Sequence, residues 1–386
     1  MKRKIKPGGF TISAFLIVSF FVVYSSAFPE EPKVFEKVLS PKLMISKAMG
    51  DKDEAYSLYQ PFGIATDLFG FIYIIDSKNH RVVKYDQKGK FVTTWGHKGD
   101  GPGEFSFYGN LNTIRVDSEN RIYVTDRIRN RIQIFDDMGK YINGFSTEDA
   151  MQPCSLSVDS EGNVYVARVP TEVENVTVTK YVLSQGRYKL KSKFAPAPFW
   201  IKIENPTNRE ISRIAKFGSS IIIHNKNDEI FQTFLYLPYI RKISPDGKII
   251  WEKYIDLRFV EGLEPEEKKI HMKWLNKADL KRTDLYDYSS FFRFMTATSI
   301  SIDRERKRVF ILKSMLRTTV LELDYDGNLI GAYLAPRSHT YNRKEDDNLS
   351  GNLNSIGYLD FTYDITNKRF LFLTTFPGEL WESRLQ

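Results

Sequence analysis

The chain of 386 residues has a single cysteine, Cys154, and only five histidines: His80, His97, His224, His271 and His339. One thiol excludes any intramolecular disulfide and every metal cluster that draws two thiolates from the chain. The histidines are scattered without a His-x-x-x-His pair, so the helical zinc-protease pattern is absent. Residues 1–27 contain no acid, and no long basic tract follows them. The formal charge of +8 therefore overstates the body of the protein, because Lys2, Arg3, Lys4 and Lys6 contribute four of it. The rest is an ordinary mixed surface without the footprint of a nucleic-acid binder, and no nucleic-acid partner is expected.

What the first residues do have is a basic head, an apolar run from Phe10 to Val23, and the small residues Ser25-Ser26-Ala27. Ser25 and Ala27 fit the −3 and −1 positions of a signal-peptidase site, which makes Phe28 the first mature residue. The rival is an uncleaved anchor, since the run is near the shortest that spans a bilayer. Both readings place residues 28–386 outside the cytoplasm, periplasmic or extracellular, with membrane contact only through the N-terminal segment. After residue 28 no apolar run approaches membrane length.

The body is built on a repeat. Phe62-Gly63-Ile64-Ala65-Thr66-Asp67 leads into Gly70-Phe71-Ile72-Tyr73-Ile74-Ile75-Asp76, then Asn79-His80-Arg81-Val82-Val83-Lys84-Tyr85-Asp86 and Gly89-Lys90-Phe91-Val92. Fifty residues on, Asp117, Tyr123, Asp126, Arg131, Asp136, Gly139 and Lys140 fall on Asp67, Tyr73, Asp76, Arg81, Asp86, Gly89 and Lys90. Short β-branched and aromatic runs alternate with hairpin turns such as Asp86–Gly89 and Asp136–Gly139. A four-stranded meander every 40–50 residues is the unit of a β-propeller, apolar on both faces and stable only when stacked. Degenerate copies open at Ser157, Ser220, Ser301 and Phe361, and the last lacks a fourth strand. Residues 33–40 alternate like a strand and are expected to complete it, leaving no long exposed edge. The fold expected is all-β: one six-bladed propeller domain over residues 28–386, with four-stranded antiparallel blades.

These motifs resemble the NHL repeat. Asn79-His80-Arg81 in its setting carries the likeness, together with the linker Trp95-Gly96-His97-Lys98-Gly99-Asp100-Gly101-Pro102-Gly103-Glu104-Phe105. The resemblance is specific over 56–145 and rests on spacing in the later units. It implies a six-bladed propeller and, for exported members, binding or sensing more often than catalysis. Amidating lyases of this type hold a metal with several histidines, whereas the entry to the second unit here reads Asn110-Leu111-Asn112. The carboxylate and two asparagines of lactonase-like propellers have no evident counterpart in the inner strands.

Most repeated residues have structural work. Asp67, Asp117, Asp159 and Asp303 suit turn capping, and Arg81 and Arg131 suit clamping between strands. Gly89, Gly139, Gly247 and Gly327 suit turns that need positive φ. Gly99–Gly103 lacks the Lys-Ser/Thr ending of a phosphate loop. Ligand-binding candidates lie instead where repeat geometry places a mouth. Tyr59, Gln60, Tyr108, Asn110, Asn112 and Gln152 enter from blade-to-blade connections. Arg168, His224, Asn225 and Lys313 enter from second-to-third connections. Arg168 and His224 are read as standing where the repeat has Asp76 and Asp126, a departure that packing does not require.

The largest insertion, about 257–297 between the fourth and fifth units, opens as a helix at Leu263-Glu264-Pro265. It ends in Tyr286, Tyr288, Phe291, Phe292, Arg293 and Phe294, and is expected to lid the mouth or to pad one blade. A second, polar insertion covers 337–355. The function expected is non-catalytic: an exported propeller engaging a protein or small ligand on its mouth, with no catalytic residues, no metal site and no cofactor. The alternative is a lyase or lactonase-like hydrolase with a divalent ion in the channel, held by Asp, Asn and His224.

Overall fold

Asp67 shows how one blade turns from its first strand to its second. Its Oδ1 accepts the backbone N–H groups of Phe69 and Phe71, both at 2.9 Å, and its Oδ2 accepts the Tyr73 hydroxyl at 3.0 Å. Asp117 repeats all three bonds with Glu119, Arg121 and Tyr123. Asp159, Asp303 and Asp364 cap the same turn in later blades. A short acceptor side chain at this point satisfies backbone donors that no ladder reaches, as the sequence leads one to expect.

The computed structural model describes residues 36–39, 42–46, 54–107, 112–147, 153–171, 174–197, 220–235, 237–255, 297–313, 319–334, 358–374 and 378–384. Six sheets follow one another along the chain. Blade one comprises Ile64–Thr66, Ile72–Asp76, Arg81–Tyr85 and Phe91–Trp95. Blade two comprises Ile114–Val116, Ile122–Asp126, Arg131–Phe135 and Tyr141–Ser146. Blade three runs Ser155–Val158, Val164–Ala167, Val176–Ser184 and Arg187–Pro196. Blade four runs Ser220–His224, Ile230–Phe234, Leu237–Ile243 and Ile249–Tyr254. Blade five has Ala297–Asp303, Arg308–Lys313, Thr319–Asp324 and Leu329–Leu334. Blade six has Tyr358–Asp364, Arg369–Thr374 and Glu379–Arg384, and takes its fourth strand from the N-terminal side.

Alternation explains the stacking. In the second strand of blade one, Ile72 and Ile74 pack with Leu371, Leu373 and Leu380 of blade six. Tyr73 and Ile75 pack with Ile114, Ile122 and Val124 of blade two. A strand apolar at every position is what a sheet buried on both faces requires. The turn glycines do more than adopt positive φ: a Cβ on Gly139 (φ 88°) would lie 2.5 Å from the Trp95 ring of the preceding blade.

Closure corrects one expectation. The strand that completes blade six is Lys42–Ile45, antiparallel to Glu379–Arg384. Ile45 is fully buried there, in the core shared by blades six and one. Glu36–Val38, within the segment expected to close the ring, instead adds a fifth, parallel strand to the outer edge of blade five. An alternating strand suits any open edge, so the pattern of 33–40 marks a strand without choosing its partner. The N-terminal segment 1–27, most of the 257–297 insertion and the insertion at 337–355 lie outside the described residues. Among the described residues no helix is long and apolar enough to cross a membrane.

Candidate functional site

The first strands of the six blades contact one another in a closed ring and form the wall of a central channel. Small side chains on one first strand bond the bare backbone of the next. Ser155 and Ser157 of blade three accept the N–H groups of Ile222 and His224 of blade four at 3.4 and 3.0 Å. Ser301 of blade five accepts the Tyr363 N–H at 2.8 Å, and Asp360 of blade six accepts that of Ile64 at 3.1 Å. Register with the second strands puts Ala65, Arg115, Ser157, Ile223, Ser301 and Thr362 at one level of the channel.

Arg115 stands out at that level. Its electrostatic neighbours are Asp360 of blade six and Arg304, which follows the first strand of blade five. Blade five stands opposite blade two in the ring and blade six is separated from it by blade one, so neither adjoins blade two and the guanidinium reaches into the channel. Its Nη1 donates to the Ile114 carbonyl at 2.9 Å, while the buried Nε has no partner among the described residues. Asp360 is 8% exposed and also accepts the Phe361 N–H at 2.8 Å. Burial pushes its carboxyl up to about 6, against the pull of Ser299, Arg115 and the two backbone donors. Asn112 lies three residues before Arg115, where the chain enters blade two. It is 1% exposed, and neither its amide oxygen nor its amide nitrogen has a partner among the described residues.

The expected mouth residues divide. Tyr59 is exposed, and its N–H is held by Asp76 Oδ1 at 2.7 Å. Gln60 follows in the left-handed region at φ 47°. Lys313 ends the second strand of blade five and Arg168 directly follows that of blade three, both at the position of Asp76, and both are buried. Arg168 Nη1 is bound to Glu174 Oε2 at 2.6 Å, and Lys193 reaches Glu174 Oε1 at 2.8 Å, so the departure from aspartate is matched by a local carboxylate. Tyr108, Asn110, Gln152 and Arg293 lie outside the described residues.

His224 and Asn225 are placed differently from expectation. Ser220–His224 is the first strand of blade four, not the second, so both residues fall at the end of the channel away from the mouth. Asn225 does the work of Asp67, its Oδ1 accepting the N–H groups of Asn227 and Glu229 at 2.9 and 3.0 Å. The register slipped because asparagine replaces the aspartate that marks this turn elsewhere. The residue ending the second strand is Phe234. His224 Nδ1 is 2.7 Å from Ser157 Oγ, a pairing of nucleophile and base types. At 1% and 3% exposure the two are sealed from any substrate, and burial lowers the imidazole to about 3. The pair therefore fastens blade three to blade four.

The Asn79-His80-Arg81 tripeptide is likewise structural. Asn79 Nδ2 and Arg81 Nε both donate to Asp76 Oδ2 at 2.8 Å, around His80 in the left-handed region. Arg131 and Asp126 repeat the clamp at 3.0 Å. Sequence reasoning missed Arg115, Asp360 and Arg304. The signal for Arg115 was present, since it falls fifty residues after Ala65. Among the described residues no group of three or more His, Cys, Asp and Glu is placed to hold a metal ion.

A family model described as a 6-bladed beta-propeller (DUF5128) matches residues 66–319. Curated relatives include NHL repeat-containing protein 3 of Homo sapiens, 31% identical over 104 residues, covering 25% of this chain and 28% of that protein. Protein brain tumor of Drosophila melanogaster is 26% identical over 108 residues, 28% of this chain and 10% of that protein. Peptidyl-glycine alpha-amidating monooxygenase of Mus musculus is 31% identical over 120 residues, 30% of this chain and 12% of that protein. The chain thus spans under a third of each of these relatives. Among solved structures, a streptogramin B lyase has a TM-score of 0.50 at 11% identity, covering 90% of this chain and 98% of its own. A Bacteroides thetaiotaomicron protein of unknown function has a TM-score of 0.52 at 11% identity, covering 90% and 76%. At these identities the likeness is one of fold.

Proposed function

Because the chain belongs to this six-bladed beta-propeller family and carries NHL-like repeats, we propose that it is an exported binding propeller whose ligand enters the central channel from the mouth. The observation that carries this reading is Arg115, whose guanidinium stands at the channel wall, donates to the Ile114 carbonyl and has no ion-pair partner among the described residues. A cation withdrawn from water without a counter-ion is costly. Such a group is retained where something else completes it. The N-terminal basic and apolar segment supports export, as a signal or as an anchor.

Thermal melts of the purified full chain against a library of small polar molecules test the reading. A ligand that raises the melting temperature of the wild type, and not of Arg115→Met, is the expected result. Elemental analysis, with melts in chelator, covers the rival chemistry. A stoichiometric divalent ion whose removal lowers the melting temperature would overturn a purely binding role.

A further inference from the structure

The base of the propeller, at the end of the channel away from the mouth, carries the turns from first to second strands. Asp67 and its counterparts cap these turns, and the two residues after the cap form the tip. At the tips of blades two to five these residues are polar or charged, as in Ser118-Glu119 and Ser160-Glu161. Blade one instead has Leu68 and Phe69, which are 55% and 60% exposed. Packing does not ask for leucine and phenylalanine at a tip that faces water, and two adjacent ones make an apolar point that scattered single residues do not.

The tip is braced from both sides. Asp67 Oδ1 accepts the Phe69 N–H within the turn. Thr366 of blade six donates its hydroxyl to the Leu68 carbonyl at 2.8 Å, and Gln87 Nε2 of blade one donates to the Phe69 carbonyl. Both carbonyls are thereby taken by protein donors, which is what backbone entering an apolar phase requires. Each bracing segment also carries an exposed lysine, Lys88 next to Gln87 and Lys368 two residues after Thr366. Neither ammonium has an ion-pair partner among the described residues.

The base also receives the chain that precedes the propeller. Glu36–Val38 pairs parallel to Leu329–Leu334, which rises from the base turn of blade five, so Glu36 lies at the base end of its strand. The residues before Glu36 therefore join the body from the base side. Only residues 24–35 separate that strand from the apolar run ending at Val23, roughly 40 Å at full extension. In the anchored form of the chain, the tether is attached at the base.

We propose that the base docks on an anionic lipid bilayer, with Leu68 and Phe69 in the boundary between headgroups and acyl chains and Lys88 and Lys368 on the headgroups beside them. An apolar point flanked by basic side chains is the composition of an interfacial contact, and each lysine adds attraction to an anionic leaflet. A stable protein interface buries on the order of 800 Å² per partner, more than two side chains offer. A tethered contact with a bilayer needs no such area, because the tether supplies the effective concentration. Docking at the base needs no ligand in the channel and leaves the mouth turned away from the membrane.

The test uses the full chain with one environment-sensitive thiol label. Cys154 is buried, so Leu68→Cys at the base and Tyr59→Cys at the mouth, both exposed positions, each give a single labelled site. The labelled chains are mixed with vesicles of phosphatidylcholine and phosphatidylglycerol, with and without brominated lipid. The label at 68 is expected to shift to the blue and lose roughly half of its emission to brominated lipid, while that at 59 is unchanged. The N-terminal segment is common to both chains and cannot produce this difference. Adding Lys88→Gln and Lys368→Gln to the Leu68→Cys chain, or using vesicles of phosphatidylcholine alone, should lower the ratio of docked to free propeller by about tenfold. Equal quenching at the two sites, or none at either, would overturn docking at the base. A blue shift at 68 that appears without vesicles as protein concentration rises would overturn the bilayer in favour of contact between copies of the chain.

Discussion

The Asp360 carboxylate joins the last blade to the first, its Oδ2 accepting the Ile64 N–H at 3.1 Å across 296 residues of sequence. The bond sits at the seam where the ring closes, in a buried setting that raises the carboxyl from 3.8 to about 6. A carboxyl whose folded pKa lies above its unfolded one takes up protons on folding between those values. Its contribution therefore improves as pH falls through 6 and is complete near 4, on the order of 3 kcal/mol. Asp360→Asn removes this dependence. Urea unfolding of both proteins should show the wild type gaining on the variant by about 1–3 kcal/mol between pH 7.5 and 4.5. A difference that does not move with pH counts against the assignment.

His224 tilts stability the other way. Burial holds its imidazole at about 3, below the ordinary 6.5, so unfolding releases a group that takes up a proton as pH falls. Its contribution is whole above 6.5 and is lost progressively toward 3. The two groups oppose each other between pH 4 and 6, which flattens the wild-type curve there. The direct check is NMR: the His224 ring resonances should stay those of a neutral imidazole from pH 8 to 4.5. A midpoint near 6.5 would mean that the ring is open to water.

Lys42–Ile45 carries the closure of blade six, and Ile45 carries its burial. Ile45→Ala should cost about 2–4 kcal/mol, the range for emptying an aliphatic site in a packed core. Lys42→Ala, at an exposed position of the same strand, should stay within about 0.5 kcal/mol. Chemical denaturation of the two variants separates closure by packing from closure by backbone pairing alone.

The fold was legible because blade one states its rules openly. Asp67 marks a turn, Ile72 to Ile75 mark a strand buried on both faces, and the same residues recur fifty positions on. Legibility faded where one marker changed. Asn225 for aspartate hid the turn of blade four and moved His224 to the wrong end of the channel. The alternation of 33–40 marked a strand but not its edge, since pairing partners are set by tertiary packing. The site was less legible still. Arg115 was visible as a departure from Ala65, yet its significance needed Asp360 and Arg304, which only ring closure brings near it.

Arg115 tests whether the channel was shaped for stability or for a ligand. Methionine keeps much of the reach of arginine and carries no charge to leave unpaired. If the guanidinium is structural, Arg115→Met should cost stability, because a real partner would be lost. If it is kept for a ligand, the empty protein gains when an unpaired cation becomes apolar, by about 1–2 kcal/mol. The expected result is a higher melting temperature without ligand and no further rise when ligand is added. A lower melting temperature, with binding intact, would return Arg115 to the scaffold.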